Sequence, residues 1–498
     1  MFFSEYFHVN KQQIDSYGAI DINLVCDLPL FIDPMLIFNS SKNEYKVLHE
    51  QIIKYFHFLA KKSELGFSDG ELTTFFNFSE IKNNWFGYSK TGNEGKGNGK
   101  EFSRIFAKYI KFSLNTNNIT KGTHFEKTLL LFDKNGRDKV SDLTTHLILD
   151  FLATYTQNFA LTYIDKTLIK PFYLDSRFNY TTETFESVEY QLPYIKNNKG
   201  VDEFVLLTPK DILRKNEPTI NRVDLLNNYD KVRCSISDAS IRSQLENYIN
   251  KAVFSYEQEC KSKKKNVKES EIATVKREAF VEALKIIPKL YDYYIAIKEQ
   301  EKDLVNSEAE KEMVEQTTKF YEASRMLIEL YNNIAPPSTT TLSAREEAKR
   351  RLNWFKHIIE ECDGYKNLYY NGQRISNEDD LQRLFRFVWN DTKFDVNYET
   401  NNGRGELDVK VSYGAHEKKI IEFKLASNKH LSHVFDQVKV YERANQCTDS
   451  IYAIFYFSQD ELKIVENLIA KTNTKTCIGD SIFLIDCRND NKPSASTV

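Results

Sequence analysis

Cysteine is sparse and unpatterned. Cys26, Cys234, Cys260, Cys362, Cys447, Cys477 and Cys487 are odd in number and form no CxxC. That scatter predicts small buried hydrophobes in a reducing cytosol rather than a disulfide framework. Proline and glycine are also scarce, at 10 and 17 of 498 residues, while aromatics reach 13 %. A fibrous or wholly disordered chain is excluded. No apolar run approaches the roughly 20 residues that a membrane span needs; among the longest is Ile451 to Phe457. Residues 1–10 carry Glu5 and no basic region leading into an apolar core, so no signal peptide and a cytoplasmic location are expected. Neither charge sign dominates. The 68 Lys plus Arg against 71 Asp plus Glu leave a formal −3, so any nucleic-acid binding must use local patches. Lys, Asn, Phe and Tyr are abundant throughout as a background bias, and aromatic abundance therefore carries no inference of base stacking.

The length predicts two to four domains, and three textures follow one another along the chain. Residues 1–232 mix β-like runs (Ala19 to Cys26, Thr128 to Phe132, Phe204 to Leu207) with helical stretches (Glu44 to Lys61, Asp142 to Tyr163), which reads as an α/β sensor or regulatory domain. Residues 233–337 are almost purely helical. Leu245, Ile249 and Val253, then Phe280, Leu284 and Ile287, recur at helical spacing, and a helical arm or hairpin is expected. Lys261-Ser-Lys-Lys-Lys-Asn-Val-Lys268 between them reads as a solvated basic turn. Ala335-Pro-Pro-Ser-Thr-Thr-Thr-Leu342 stops the helices and makes a linker. There is no internal repeat.

Residues 338–498 form a third domain. A helix from Ala344 to Cys362 precedes a small hairpin turning at Asn371-Gly372. Asn377 caps a helix that begins Glu378-Asp-Asp, with Leu381, Leu384, Phe385 and Val388 as its apolar face. Strands are expected over Gly405 to Tyr413, Lys419 to Leu425, Ser450 to Phe457 and Ser481 to Asp486, with helices over Leu431 to Ala444 and Asp460 to Ala470. The fold class is thus multidomain α/β, ending in a domain with a mixed central sheet.

One stretch carries chemistry. In Gly403-Arg-Gly-Glu-Leu-Asp408-Val-Lys-Val, alternation puts Glu406, Asp408 and Lys410 opposite Leu407, Val409 and Val411. In Ile420-Ile-Glu-Phe-Lys-Leu425, it puts Glu422 and Lys424 opposite Ile421, Phe423 and Leu425. Adjacent strands would gather Asp408, Glu422 and Lys424 at one polar edge. Two carboxylates and a lysine suit phosphodiester hydrolysis. The carboxylates hold Mg²⁺, with Mn²⁺ as a substitute, and the lysine positions or deprotonates the attacking water. A solvent-facing strand pair with alternating charges has the same pattern.

Residues 344–490 resemble the PD-(D/E)xK, restriction-endonuclease-like nuclease superfamily, whose core runs α-β-β-β-α-β if Phe394 to Glu399 supplies the first strand. The resemblance implies that Asp408 is the first metal-binding acid, that Glu422 and Lys424 are the (D/E)xK pair, and that Glu378 completes the metal site. Asp379 and Asp380 compete with Glu378, and Glu406, which stands where the superfamily name has proline, is a further candidate ligand. Gln437, in Asp436-Gln-Val-Lys-Val-Tyr441, matches the helix glutamine that supports the site, with Tyr441 structural. The whole chain is similar to bacterial anti-phage defence nucleases. That likeness implies an endonuclease acting on DNA in preference to RNA, a homo-oligomer, a phage-derived or protein trigger, and N-terminal control of activity. The rival expectation is a nucleic-acid-binding or scaffold protein with an inactive nuclease-like domain.

Weaker patterns are read as structural. Gly92-Asn-Glu-Gly-Lys-Gly-Asn-Gly-Lys100 misses the phosphate-loop spacing and has Glu101 where Ser or Thr belongs. His430 and His433 do not make a metal pair. Asp27-Leu-Pro-Leu-Phe-Ile-Asp33-Pro reads as a buried strand and turn.

Overall fold

The computed structural model describes residues 2–498 apart from 25–26, 29, 77–80, 87–103, 105, 108–109, 111–118, 131–135, 197–199, 216–217, 264–265, 315–316, 319–341, 363, 371–372, 376–377, 390–391, 393, 402–405, 414–416, 430, 434–449, 473, 475–476 and 493–498. Within these, the protein is a mixed α/β chain with a helical middle and a mixed sheet toward the C-terminus. The described residues divide into two compact units, one within 1–314 and the other within 315–498. No described helix is long and apolar enough to cross a membrane.

In the first unit, β1 (Leu30–Ile32) leads to Asp33, whose carboxylate accepts from Met35 N at 3.0 Å and from Thr219 N and Oγ1 at 2.8 and 2.6 Å. The two acids of this stretch are buried, as expected for a strand and turn. Helix α1 (Asn43–Ser63) buries Tyr45, Leu48, Ile52, Tyr55, Phe56 and Leu59, a stripe at steps of three and four. The helix expected over Asp142 to Tyr163 is instead two, α2 (Gly136–Leu147) and α3 (Leu149–Tyr163). Thr144 and Thr145 hydroxyls donate to carbonyls four residues back, at 2.6 and 2.7 Å, which bends helices, and Ile148 sits outside helical geometry at φ −104°, ψ 15°. The β-like run expected from Thr128 begins inside a helical turn, Glu126–Leu129; short apolar runs do not distinguish the two states.

The patterning did not mark the hairpin of β2 (Ile169–Asn179) and β3 (Thr184–Lys196), extended by β4 (Asp202–Phe204). Leu174, Tyr190 and Leu192 meet Leu149 and Ala153 of α3, but most of the hairpin is half-buried or exposed, so its alternation is faint. Strand β5 (Leu213–Lys215) pairs with β1. Helices α4 (Ala239–Ser262), α5 (Glu269–Ile286) and α6 (Lys289–Gln300) confirm the helical middle. Ile241, Leu245, Phe280, Leu284 and Tyr294 share one core with Met35, Leu130, Ile220 and Leu225, which makes these helices part of the first unit.

The second unit opens with α7 (Ala344–Glu361), started by a Ser343–Glu346 capping box. Strands β6 (Tyr369–Tyr370) and β7 (Gln373–Arg374) pair antiparallel, as the hairpin expectation requires. Helix α8 (Glu378–Phe387) follows, burying Leu381, Leu384 and Phe385. The sheet runs β12-β11-β10-β9-β8, from β8 (Asp395–Asn401), β9 (Glu406–Tyr413), β10 (Glu417–Leu425), β11 (Ile451–Tyr456) and β12 (Ile482–Asp486). Its β8–β9–β10 half is antiparallel and its β10–β11–β12 half parallel. Helix α9 (Gln459–Lys471) packs Val465 and Ile469 on Ile454 and Ile482. Of the helix expected over Leu431 to Ala444, the described residues hold a short 3₁₀ turn, Leu431–His433.

The core of this unit is aromatic. Phe423 and Phe455 stack at 5.4 Å with ring planes 17° apart, and Phe385 meets Phe423 at 5.1 Å. Phe355 from α7 approaches Phe385 at 5.3 Å and Phe455 at 6.2 Å. Phe455→Ala should cost about 3–5 kcal/mol through the cavity it leaves. A urea titration followed by fluorescence would show it as a lowered midpoint; an unchanged midpoint would contradict this account of the core.

Candidate active site

The site forms where two neighbouring strands part company. Ladder pairing between β9 and β10 runs from Glu417↔Tyr413 to Ile421↔Val409 and then ends. On its other edge β10 stays paired with β11 through Leu425↔Phe455. Amides two apart in a strand point to the same edge, so the N–H groups of Phe423 and Leu425 face the side that β9 has left. A buried N–H needs an acceptor. Phe423 N donates to Asp408 Oδ2 at 2.7 Å, and Leu425 N donates to Glu378 Oε1 at 2.9 Å. Two carboxylates, one from β9 and one from the first residue of α8, thus replace the missing strand.

These acids meet Lys424. Its Nζ lies 2.9 Å from Glu422 Oε1, 3.3 Å from Glu378 Oε2 and 3.8 Å from Asp408 Oδ2. Side-chain exposure is 13 % for Lys424, 4 % for Glu422, 17 % for Glu378 and 15 % for Asp408, so the charges act on one another with little screening. Burial opposes the ammonium of Lys424, yet Asp408, Glu422 and Glu378 together hold its pKa above the ordinary lysine range. The three carboxylates thus favour the protonated, positively charged form of Lys424 in this arrangement. Burial pushes the Glu422 carboxyl up from its usual value, against the pull of Lys424. Glu422 Oε2 has no hydrogen-bond partner among the described residues.

Asp408, Glu422, Lys424 and Glu378 are brought together as their candidacy requires. Gln437 and Tyr441 lie outside the described residues, as do His430, the 92–100 loop and the Asn377 cap; so do the side chains of Asp379, Glu406 and His433. Sequence reasoning passed over Asn428, whose Nδ2 donates to Glu378 Oε1 at 2.8 Å. Asparagine just past a strand end is ordinary turn chemistry, and that signal could not single it out.

The donor set is of the hard-oxygen type that Mg²⁺ takes, and one oxygen of the most buried acid is unpartnered. The three carboxylates are arranged around an ammonium rather than converged on a common point. Among the described residues no group of three or more His, Cys, Asp or Glu is set closely enough to hold a metal ion by itself.

Residues 8–221 match the family model of a domain of unknown function, DUF8370, and residues 344–459 match that of a second, DUF8371. The second match spans Glu378, Asp408, Glu422, Lys424 and Asn428. No curated protein and no solved structure matches the chain significantly.

Removing the central ammonium should expose the acids to one another. Lys424→Met is expected to destabilise the protein by about 3 kcal/mol near neutral pH, since it strands buried charge. The sign with pH follows from Glu422: burial already pushes its carboxyl up, and without the pull of Lys424 it rises further, so protonation relieves the variant as pH falls. The deficit relative to wild type should shrink between about pH 8 and about pH 5. Denaturant midpoints at both ends of that range check this, and a pH-independent deficit would show that the cluster does not carry the charge balance described.

Proposed function

We propose that the protein is a metal-dependent endonuclease that hydrolyses phosphodiester bonds, with DNA as its substrate in preference to RNA. The observation that carries this reading is the convergence of Asp408, Glu422 and Glu378 on Lys424 at the β9/β10 fork. It joins the residues that the PD-(D/E)xK resemblance names to one another in space, on a mixed sheet preceded by a helix.

In this reading Asp408 and Glu422 would hold Mg²⁺, or Mn²⁺ in its place, and Glu378 would complete the site. When bound, the ion supplies Lewis acidity and an activated water. The chain's own groups do the rest. Lys424 carries its charge into a partly enclosed site, where it orients water and offsets negative charge that builds on the phosphate. The Phe423 and Leu425 amides fix Asp408 and Glu378 before substrate arrives, which spares reorganisation during reaction. Gln437 supports the site as the resemblance implies. We further assign the first unit to control, with a phage-derived or protein trigger, assembly as a homo-oligomer, and bacterial defence in the cytoplasm as the setting. A free nuclease would damage its own cell, and residues 1–232 of this unit, which carry no recognisable catalytic motif, suit restraint.

Purified full-length chain should cut DNA in Mg²⁺ or Mn²⁺ and not in EDTA, when linear, circular and single-stranded DNA and RNA are compared. Lys424→Arg keeps the charge balance but not the compact ammonium. It should retain the wild-type thermal midpoint while losing at least about 100-fold in cleavage rate. Undiminished cleavage by this variant would remove Lys424 from the mechanism, and absence of cleavage under every metal condition would favour an inactive nucleic-acid-binding domain.

Residues 338–498, which hold their own core, should fold alone. The fragment should cut less selectively than the full chain, or not at all if assembly requires the middle helices. A fragment matching the full chain in rate and substrate choice would refute both forms of control.

A further inference from the structure

We propose that Asn428 is a positioning residue for Glu378: it fixes which carboxylate oxygen faces Lys424 and would be offered to a divalent cation. The inference rests on the metal-dependent reading above and adds to it a residue outside the acid and lysine set.

Three observations carry it. The backbone of Asn428 is held on both sides, its N–H donating to Leu425 O at 2.9 Å and its carbonyl accepting from Leu431 N at 3.1 Å. Its neighbour Ala426 is tied to β11 through Phe455 O at 2.8 Å, so the turn that carries Asn428 is anchored to the sheet. From that anchored turn the amide donates to Glu378 Oε1, the same oxygen that accepts from Leu425 N. A carboxylate only accepts, so the amide must present its NH₂ here. With two donors on Oε1, the side chain of Glu378 is locked and Oε2 is left toward Lys424. Without Asn428, Oε1 would keep one backbone N–H and Oε2 the 3.3 Å contact with Lys424, a looser hold on the orientation of the carboxylate. An oxygen ligand that must be oriented before binding loses affinity when its supporting hydrogen bond is removed.

Mn²⁺ binding by the full-length chain, read by calorimetry, tests this apart from cleavage. Asn428→Ala should weaken Mn²⁺ about 10-fold in the wild-type background. It should change nothing further in Glu378→Gln, where the oriented carboxylate is already gone. Asn428→Leu keeps most of the bulk but has no donor, so it should weaken Mn²⁺ about as much as alanine does; it also keeps the test alive if the alanine variant fails to fold. Thermal midpoints of all variants separate loss of fold from loss of ligand. An equal loss with and without the Glu378 carboxylate, or no loss in the wild-type background, overturns the proposal. Asp408→Ala distinguishes the two levels. Mn²⁺ affinity that depends on Asp408 but not on Asn428 sinks the positioning role alone, whereas affinity indifferent to Asp408 sinks the metal reading and this proposal with it.

Discussion

The parting of β9 from β10 is the constraint on which the second unit's chemistry depends. Once the ladder ends at Ile421↔Val409, two amides on β10 lose their strand partners in a protected place. An unmet buried donor costs about 1–3 kcal/mol. Asp408 and Glu378 meet that need, and in doing so they bring two negative charges beside a third on Glu422. Like charges so placed call for a cation, and Lys424, on the same strand as Glu422, provides it. Backbone satisfaction and charge balance thus meet in one cluster.

That cluster is only as well placed as α8, which contributes Glu378 from its first residue. The aromatic group of Phe355, Phe385, Phe423 and Phe455 fixes the helix against β10. Beyond the other end of α8, Arg351 from α7 donates to Val388 O and pairs with Glu347 at 2.6 Å. Arg351 also lies 5.3 Å from the ring of Trp389. The helix is therefore held at both ends, by packing and ion pairing at one and by the donors of the β10 edge at the other.

The first unit is held by a different device. Helix α6 is buried along most of its length and carries charged groups inside. Lys127 and Asp292 pair at 2.5 Å with both side chains nearly inaccessible. Glu299 accepts from Lys121 N and Gly122 N at 2.6 and 2.8 Å and meets His124 Nε2 at 3.0 Å. Burial disfavours the His124 cation, but Glu126 and Glu299 override it and push its pKa up to about 9. Buried pairs of this kind fix register more than they add stability. They tie residues 121–128 to a helix some 170 positions later, which is why the middle helices belong to this unit's core.

The amino-acid sequence by itself determined the local facts. Alternation placed Asp408 on one face of its strand, and Glu422 and Lys424 on one face of the next; helical spacing marked α1, α7 and α9 to within a few residues, and the start of α8 and the helical character of α4 and α5. Such patterns are local because side-chain direction repeats every two or 3.6 residues whatever lies elsewhere. Tertiary structure decided the rest. Nothing in residues 405–425 states where β9 stops pairing, since that depends on which groups are available to replace it. Glu378 joins the cluster by reaching a lysine 46 residues away, and Asn428 enters because the turn after β10 is tied to β11. The β2–β3 hairpin escaped notice for the converse reason: it buries too little of either face for alternation to be written strongly into the chain. Residue types record the face a side chain takes, whereas the place where two strands separate is settled by contacts between segments far apart in the sequence.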